Sequence, residues 1–535
     1  MINMDFSEYD AVLYRKNEKY PNVSVQSVGD ILREITGLEA SDGAVVISRE
    51  KSALFVDGRY ALAAKLSVDR NQFEILNLKN AEIIKWIKEN VPKNGKIAFD
   101  PEYFTHQEAA FFIDELKNYR LVETNLKNAL NMPSEKFDLK MYRIEGRENR
   151  ISRVVETINR NDLDAYLICD PCGVAWMLNI RDLNQKHTPV VLCRALVAKN
   201  GEYFLYLDDR YGVHDEFKSE KDLLADLSKF SRVGIDKSQT PFYIKRENFI
   251  DVKNPCAGHI KTKEEVADIR LAAKKDSEAI TNFLYWFHTN PKKITELEAA
   301  EKISRFRRQK EGFIGESFET IAAADENAAI VHYHPSFESN KTIENILLID
   351  SGGQCERGTT DVTRTVAVAE PTEEQKLFYT LVLKGHIALA DAKFPAGTRG
   401  SQLDSLARQF LWRYSKDYAH STGHGIGYMS HVHEGPVGIS SRNDIPLQAG
   451  MILSNEPGYY QENGFGIRLE NMMLVVENDD GYLSFETLSL VPFDRKFIRE
   501  DLLTEEESNW LKAYNRKIAA TLDLPEEVFQ KLCNL

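Results

Sequence analysis

Apolar and polar positions follow a repeating order along this chain, and that order predicts an architecture before any chemistry is considered. In GAVVISREKSALFVDGRYALAAKL two short apolar runs flank a polar turn from Arg49 to Lys51, which predicts paired strands, and Asp57-Gly58-Arg59-Tyr60 then leads into a helix. AEIIKWIKENV places Ile83, Trp86 and Ile87 on one helical face ahead of the strand KIAFD. The polar stretch NALNMPSEKFD, broken at Pro133, reads as a linker. Beyond it a helix through ISRVVETINR precedes strands in DAYLIC, TPVVLCRALVA and EYFLYL, and DLLADLSKF then leads into RVGID. This helix-then-strand echo of the first segment predicts a duplicated α/β unit, with the first spanning 1–134 and the second 135–253.

From Asn254 onward the period becomes helical. Thr262 with Glu265, Thr295 with Glu298, Thr372 with Gln375 and Ser401 with Asp404 all have capping-box spacing. Each opens an apolar stripe: Val266, Ile269 and Ala273; Leu297, Ala300 and Ile303; Leu377 and Leu381; Leu403, Leu406 and Phe410. Each pair of helices is followed by a glycine-bearing hairpin, so the order helix, helix, hairpin is written twice. That predicts a third domain, 254–535, made of two α/β halves facing each other. After the second hairpin come strands in MMLVVEN and YLSFETLSLVPF, then a tail helix with Trp510, Leu511 and Tyr514.

Length agrees with this count, since 535 residues are too many for one core and suit roughly three domains. With 43% hydrophobic and 28% charged residues, neither disorder nor a fibre is indicated. A net charge of −14 argues against a nucleic-acid partner, because no counterion release would reward binding. No run of eighteen apolar residues occurs, and MINMDFSEYDAVLYRKN lacks a basic-then-apolar leader, so a membrane span and secretion are not expected. Six cysteines in so long a chain do not make a disulfide framework, which suits a reducing, cytoplasmic setting. Cys169 and Cys172 have C-x-x-C spacing but no second pair, and are expected to be buried reduced thiols.

The candidate chemistry lies between Ile330 and Asn471. In LLIDSGGQCERGTTDVTRTVAV, apolar residues lead into Asp350, glycines reverse the chain and Asp361 opens a β-branched strand. SNEPGYYQENGFGIRLEN repeats the device with Glu456 before the reversal and Glu470 after it, and HSTGHGIGYMSHVHEGP between them presents His424 and His433. Four carboxylates and an imidazole aimed into one cavity would repel one another unless two divalent cations neutralised them, so the pattern predicts a two-metal hydrolase site. Oxygen-rich ligation with one imidazole favours harder ions, manganese first, with cobalt and zinc as alternatives. Water shared by such ions loses a proton near neutral pH and becomes the attacking nucleophile. Arg468, two residues before Glu470, shares its strand face and can orient a ligating carboxylate.

DSGGQ with the second aspartate in TTDVTRT, then TGHGIG, HVHEGP, NEPGYY and GIRLEN, in that order, resemble the aminopeptidase P family, the X-prolyl aminopeptidases of the pita-bread metallopeptidase clan. The resemblance covers essentially the whole chain and thins towards the N-terminus. It implies an α/β (α+β) chain with two creatinase-like N-terminal domains and a pita-bread, pseudo-twofold catalytic domain. It further implies that Asp361 and Glu470 bridge two ions, that Asp350 completes one set of ligands, and that His424 with Glu456 completes the other. Glu456 is then the general base, and His332 and His433 surround the developing oxyanion and the peptide's second carbonyl. Tyr460 would help position Glu456 or substrate, while His334, His420 and His431 read as structural histidines. The implied substrate is a peptide with proline second, and the implied assembly a homodimer.

Two departures stand out near the N-terminus: the opening helix and strand look shortened, and LEASDG replaces a glycine-serine-alanine-glycine turn. DGRY also resembles the family, but reads as a strand end and helix start. Prolidase, which takes only X-Pro dipeptides, is the nearest rival; a methionine aminopeptidase lacks two such leading domains, and a metal-free binding module would have lost ligands.

Overall fold

The computed structural model describes residues 7–17, 19–21, 23, 30–130, 132, 135–256, 258–290 and 292–533. Pro133 and the boundary expected at 134 lie outside the described residues. The chain divides into two compact units, one of Met1–Gln185 with Pro189–Ala257, the other of Lys186–Thr188 with Gly258–Leu535.

The first unit contains the same six-stranded sheet twice. In the first sheet the strands run in the order Phe73–Asn77, Ser52–Val56, Ala44–Ser48, Ala11–Arg15, Lys96–Phe99, Arg120–Glu123. In the second the order is Lys218–Ser219, Tyr203–Leu207, Cys193–Ala198, Ala165–Ile168, Val233–Ile235, Phe249–Asp251. Both step from edge to edge as parallel, antiparallel, antiparallel, parallel, parallel. The echo in the apolar pattern is therefore a repeated topology. Ile83, Ile84, Trp86 and Ile87 are the buried face of the helix Asn80–Asn90, and Val154 and Ile158 that of Ile151–Arg160. The strand expected through TPVVLCRALVA begins only at Cys193. Its first residues are buried yet bond irregularly, with the Asp182 N–H donating to Pro189 O and the Asp208 N–H to Leu192 O. All six cysteines are free, and burial pushes the Cys169 thiol up to about 11, so it stays protonated.

In the second unit the order of helices and hairpins is as the pattern predicts. The helices Lys263–Thr289, Glu296–Arg308 and Glu373–Ala390 all start with closed capping boxes, at Thr262, Thr295 and Thr372, each worth about 1 kcal/mol. The box expected at Ser401 and Asp404 does not form. The helix Gly400–Trp412 starts two residues earlier, with Gln402 Oε1 accepting the Arg399 N–H at 2.8 Å. Asp404 turns inward instead, to Arg408 Nε at 2.8 Å and the Thr422 hydroxyl at 2.5 Å. Each pair of helices leads to an antiparallel sheet: Ile321–Ala324, Ile346–Ser351 and Val362–Ala367 in the first half, and Ile452–Asn455, Asn471–Glu477, Tyr482–Thr487 and Lys393–Pro395 in the second. The halves meet along a seam where the Glu470 N–H donates to Thr363 O at 3.1 Å and the Arg468 N–H to Thr365 Oγ1 at 3.2 Å. The tail helix Glu505–Thr521 buries Tyr514 and Ile518 against this core, and a further helix, Glu526–Cys533, follows it. Among the described residues no helix is long and apolar enough to cross a membrane.

Candidate metal centre

Each carboxylate sits where a strand enters or leaves the seam. Asp350 lies near the end of Ile346–Ser351 with Thr363 as its cross-strand partner, and Asp361 immediately precedes Val362–Ala367. The intervening reversal requires glycine at 352, because a Cβ there would stand 1.9 Å from Thr360 O. In the other half Asn455 pairs with Asn471, so Glu456 just after one strand faces Glu470 just before the other. The hairpin between them, Gly458–Tyr460 with Gly466–Arg468, needs glycine at 466, where a Cβ would meet Ala328 O at 1.7 Å.

His424 closes the set. Its N–H donates to Ser454 Oγ at 2.9 Å and its Nδ1 lies 3.0 Å from Gly425 O. That carbonyl accepts a hydrogen bond from a protonated Nδ1, which leaves the Nε2 lone pair facing the cavity. Nε2 lies 3.4 Å from Asp361 Oδ2 and 3.5 Å from Glu456 Oε1. One donor atom each from Asp361, His424 and Glu470 falls within 4.8 Å of the others.

The electrostatics favour a bound cation. Burial pushes the Glu456 carboxyl up to about 8, with Glu470 adding to the shift. Burial, then Asp350 and Glu456, hold Asp361 well above the carboxylate range, and burial with Asp361 and Asp350 does the same for Glu470. Asp350 Oδ1 and Asp361 Oδ1 are buried with no hydrogen-bond partner. Orphaned acceptors among crowded acids are what divalent cations relieve, so the donor set fits a metal pair. Glu470 Oε2 is held by the Thr363 hydroxyl at 2.6 Å.

The remaining candidates are close by. Arg468, buried, donates from Nη2 to Asp350 Oδ2 at 2.6 Å, so its carboxylate partner comes from the opposite half. Its Nη1 donates to the Tyr460 hydroxyl at 2.8 Å and faces Val331 O at 3.4 Å, which places half-buried His332 at the next residue. His433 stacks edge-on against His424 with ring centroids 4.2 Å apart, and His431 Nδ1 lies 2.8 Å from His433 O. Among the described residues, Tyr460 makes no direct hydrogen bond to Glu456. Its hydroxyl joins Arg468 to His420 Nε2, 2.8 Å away, and it is His420 Nδ1 that lies 3.7 Å from Glu456 Oε2. From sequence His420 reads as a structural histidine; its place four residues before His424 is the available signal. Nothing local in the sequence marks Thr363, whose hydroxyl bonds Glu470, or Ser454, whose hydroxyl accepts from the His424 N–H.

A paired-sheet hydrolase fold with a carboxylate-rich metal centre is the class that this geometry defines. The Metallopeptidase family M24 model matches residues 267–477, the C-terminal region of peptidase_M24 matches 481–524, and Creatinase/Prolidase N-terminal domain models match 32–127 and 133–278. A probable Xaa-Pro aminopeptidase P of Sordaria macrospora is 34% identical over 90% of this chain and 88% of its own length. Xaa-Pro aminopeptidase 1 of Dictyostelium discoideum is 31% identical over 92% and 87%. The crystal structure of an X-prolyl aminopeptidase from Caenorhabditis elegans, described as a cytosolic enzyme with a di-nuclear active site, matches with a TM-score of 0.91 at 28% identity, over 100% of this chain and 96% of that one. The chain belongs to metallopeptidase family M24, with two creatinase-type domains ahead of its catalytic domain.

Proposed function

We propose that this chain is a metal-dependent Xaa-Pro aminopeptidase that releases the first residue of peptides whose second residue is proline. The observation that carries it is the convergence of Asp350, Asp361, His424, Glu456 and Glu470, with unpartnered buried oxygens, at the seam of a fold shared along the whole chain with an X-prolyl aminopeptidase. Asp350, Asp361, His424, Glu456 and Glu470 would together hold two divalent ions. Manganese is the ion we favour, on the oxygen-rich donor set. When bound, the pair would supply an acidified water and a polarised carbonyl.

The chain's own groups do the rest. Glu456 takes the proton of the attacking water and returns it to the leaving nitrogen. His433, beside His424, and His332, beside Arg468, donate to the developing oxyanion and the second carbonyl. Arg468 fixes Asp350, and Tyr460 with His420 fixes Arg468 and the approach to Glu456. An X-Pro amide has no N–H, so the site needs no acceptor there. We assign the domains as 1–134, 135–253 and 254–535, and place the enzyme in the cytoplasm as a homodimer.

The rival is a strict dipeptidase. A prolidase from Pyrococcus furiosus matches 63% of this chain but 98% of its own, with a TM-score of 0.51 at 25% identity, so much of this chain has no counterpart there. Hydrolysis of an Xaa-Pro-Pro tripeptide and an Xaa-Pro dipeptide by the manganese-loaded protein separates the two. Rapid release of the tripeptide's first residue is expected; turnover of the dipeptide alone would replace this reading with prolidase.

A further inference from the structure

One fully buried cation in the catalytic unit has no part in the site as described so far. Strand alternation puts Thr363 and Thr365 on one face of the strand Val362–Ala367, which follows Asp361, and Arg364 on the other. Arg364 has a relative exposure of 0%. Its Nη1 donates to Thr363 O at 2.8 Å and to Glu470 O at 2.7 Å, which joins the aspartate hairpin to the glutamate hairpin. Nη2 donates to Asn471 Oδ1 at 2.8 Å and Val491 O at 2.6 Å, and Nε to Pro492 O at 3.0 Å. The guanidinium lies over the Phe493 ring, 4.3 Å from its centroid.

The Tyr514 hydroxyl, on the tail helix, completes this arrangement. It lies 3.2 Å from Arg364 Nη2, accepts from Asn471 Nδ2 at 3.2 Å and from the Val491 N–H at 3.1 Å, and donates towards Ser489 O and Val491 O, both at 2.9 Å. His386 braces the same residues, with Nδ1 3.2 Å from Leu469 O and Nε2 3.2 Å from Asn471 Nδ2, while its carbonyl accepts from Asn455 Nδ2 at 2.9 Å. The residues next to Glu470 and Glu456 are therefore held from behind.

We propose that Arg364 and the Tyr514 hydroxyl are positioning groups for the metal centre, clamping the backbones that carry Asp361 and Glu470 in one register and so setting how tightly a pair of divalent ions is held. This rests on the two-metal reading above. A metal-ligating side chain tolerates only about 0.5 Å of error, and partners behind metal ligands typically change affinity 10- to 100-fold. The planar fork is the feature that matters: an ammonium cannot span Thr363 O, Glu470 O and Asn471 Oδ1 at once. It also gives the C-terminal region matched at 481–524 a part in the site, through Tyr514.

Equilibrium titration of the full-length, metal-free proteins with Mn(II), followed by EPR of the free ion, provides the test alongside kcat, KM and metal-free melting curves. Arg364→Lys is expected to bind manganese about 10- to 100-fold more weakly, with kcat reduced and KM little changed. Tyr514→Phe removes one oxygen and keeps the ring stacked on Trp510, with centroids 5.2 Å apart. It is expected to lose about 10-fold in affinity with a metal-free melting point a few degrees below the parent, because the buried Val491 N–H loses its acceptor. A merely structural role would lower both melting points and leave the folded proteins' manganese affinity unchanged, and that result overturns the proposal. Should Arg364→Lys fail to fold, Tyr514→Phe decides. A parent that does not bind two ions would sink the two-metal reading itself, whereas a parent that binds two alongside variants with equal affinity sinks only the clamp.

Discussion

Both units bury acidic groups, and they treat them in opposite ways. In the first unit Asp208 and Glu220 are surrounded by cations: Lys19 Nζ lies 3.1 Å from Asp208 and 2.6 Å from Glu220, Arg210 Nε lies 2.7 Å from Asp208, and fully buried Arg194 pairs with Glu220. Burial works to raise both carboxyls, but Lys19 and Arg210 hold Asp208 below its ordinary value, and Arg194 and Lys19 do the same for Glu220. In the second unit, among the described residues, four carboxylates share one fixed cation, Arg468, and three of them are pushed up. The first arrangement is complete within the chain. The second is completed only by ions from solution, and that distinguishes a structural charge cluster from a site.

The same chemical change should therefore act with opposite sign in the two places. Asp361→Asn is expected to lower kcat/KM by at least about a thousandfold, yet to raise the melting point of the metal-free protein, because one member of an uncompensated group is gone. Asp208→Asn should leave activity near normal and destabilise by about 3–5 kcal/mol, since Arg210 loses its partner and Lys19 keeps only Glu220. Calorimetry of the metal-free proteins reads both signs, and equal shifts in the same direction would erase the distinction.

The next effect is in pH. Glu456 is raised in the folded protein, so in metal-free protein its contribution is fully present below the unfolded value, near 4.3, and is lost as pH rises through about 8. Metal-free protein should thus melt several degrees higher at about pH 6 than at about pH 8.5. Loaded protein should not show that trend, because the ligands must be deprotonated and acid weakens binding. Chelator should abolish activity and take away about 2.7 kcal/mol of stability where free metal had stood at about a hundred times its Kd. Depressed Asp208 contributes stability that is lost only as pH falls through its low folded value, so the first unit should be indifferent over the same range.

The smallest effect is at an exposed pair. Arg305 Nε and Glu301 Oε1 are 2.9 Å apart on the helix Glu296–Arg308, with side chains 65% and 46% exposed. Glu301→Ala should change stability by less than about 0.5 kcal/mol and activity not at all. A larger change would mean that distance alone, rather than burial, ranks these charges.

Much of the fold was legible because its signals are local. Thr262, Thr295 and Thr372 cap their helices through partners three residues away, and a window of four residues contains all of that information. Ser401 and Asp404 show where the rule ends: the spacing is right, but Arg408 and Thr422 offer Asp404 better partners from inside the core. TPVVLCRALVA is similar, since its first half is apolar because it is buried and not because it pairs.

The sequence by itself determined which side chains flank the two reversals and in what order: two aspartates and two glutamates, with His424 between. Only the tertiary structure decided who holds whom. Arg468, two residues from Glu470, bonds Asp350 across 118 residues of chain; Tyr460 turns to His420; and Arg364 joins hairpins 106 residues apart. Backbone geometry fixes neighbours within a turn or a strand, whereas partners separated by a hundred residues meet only once two sheets have packed in a particular register, and no local pattern records that register.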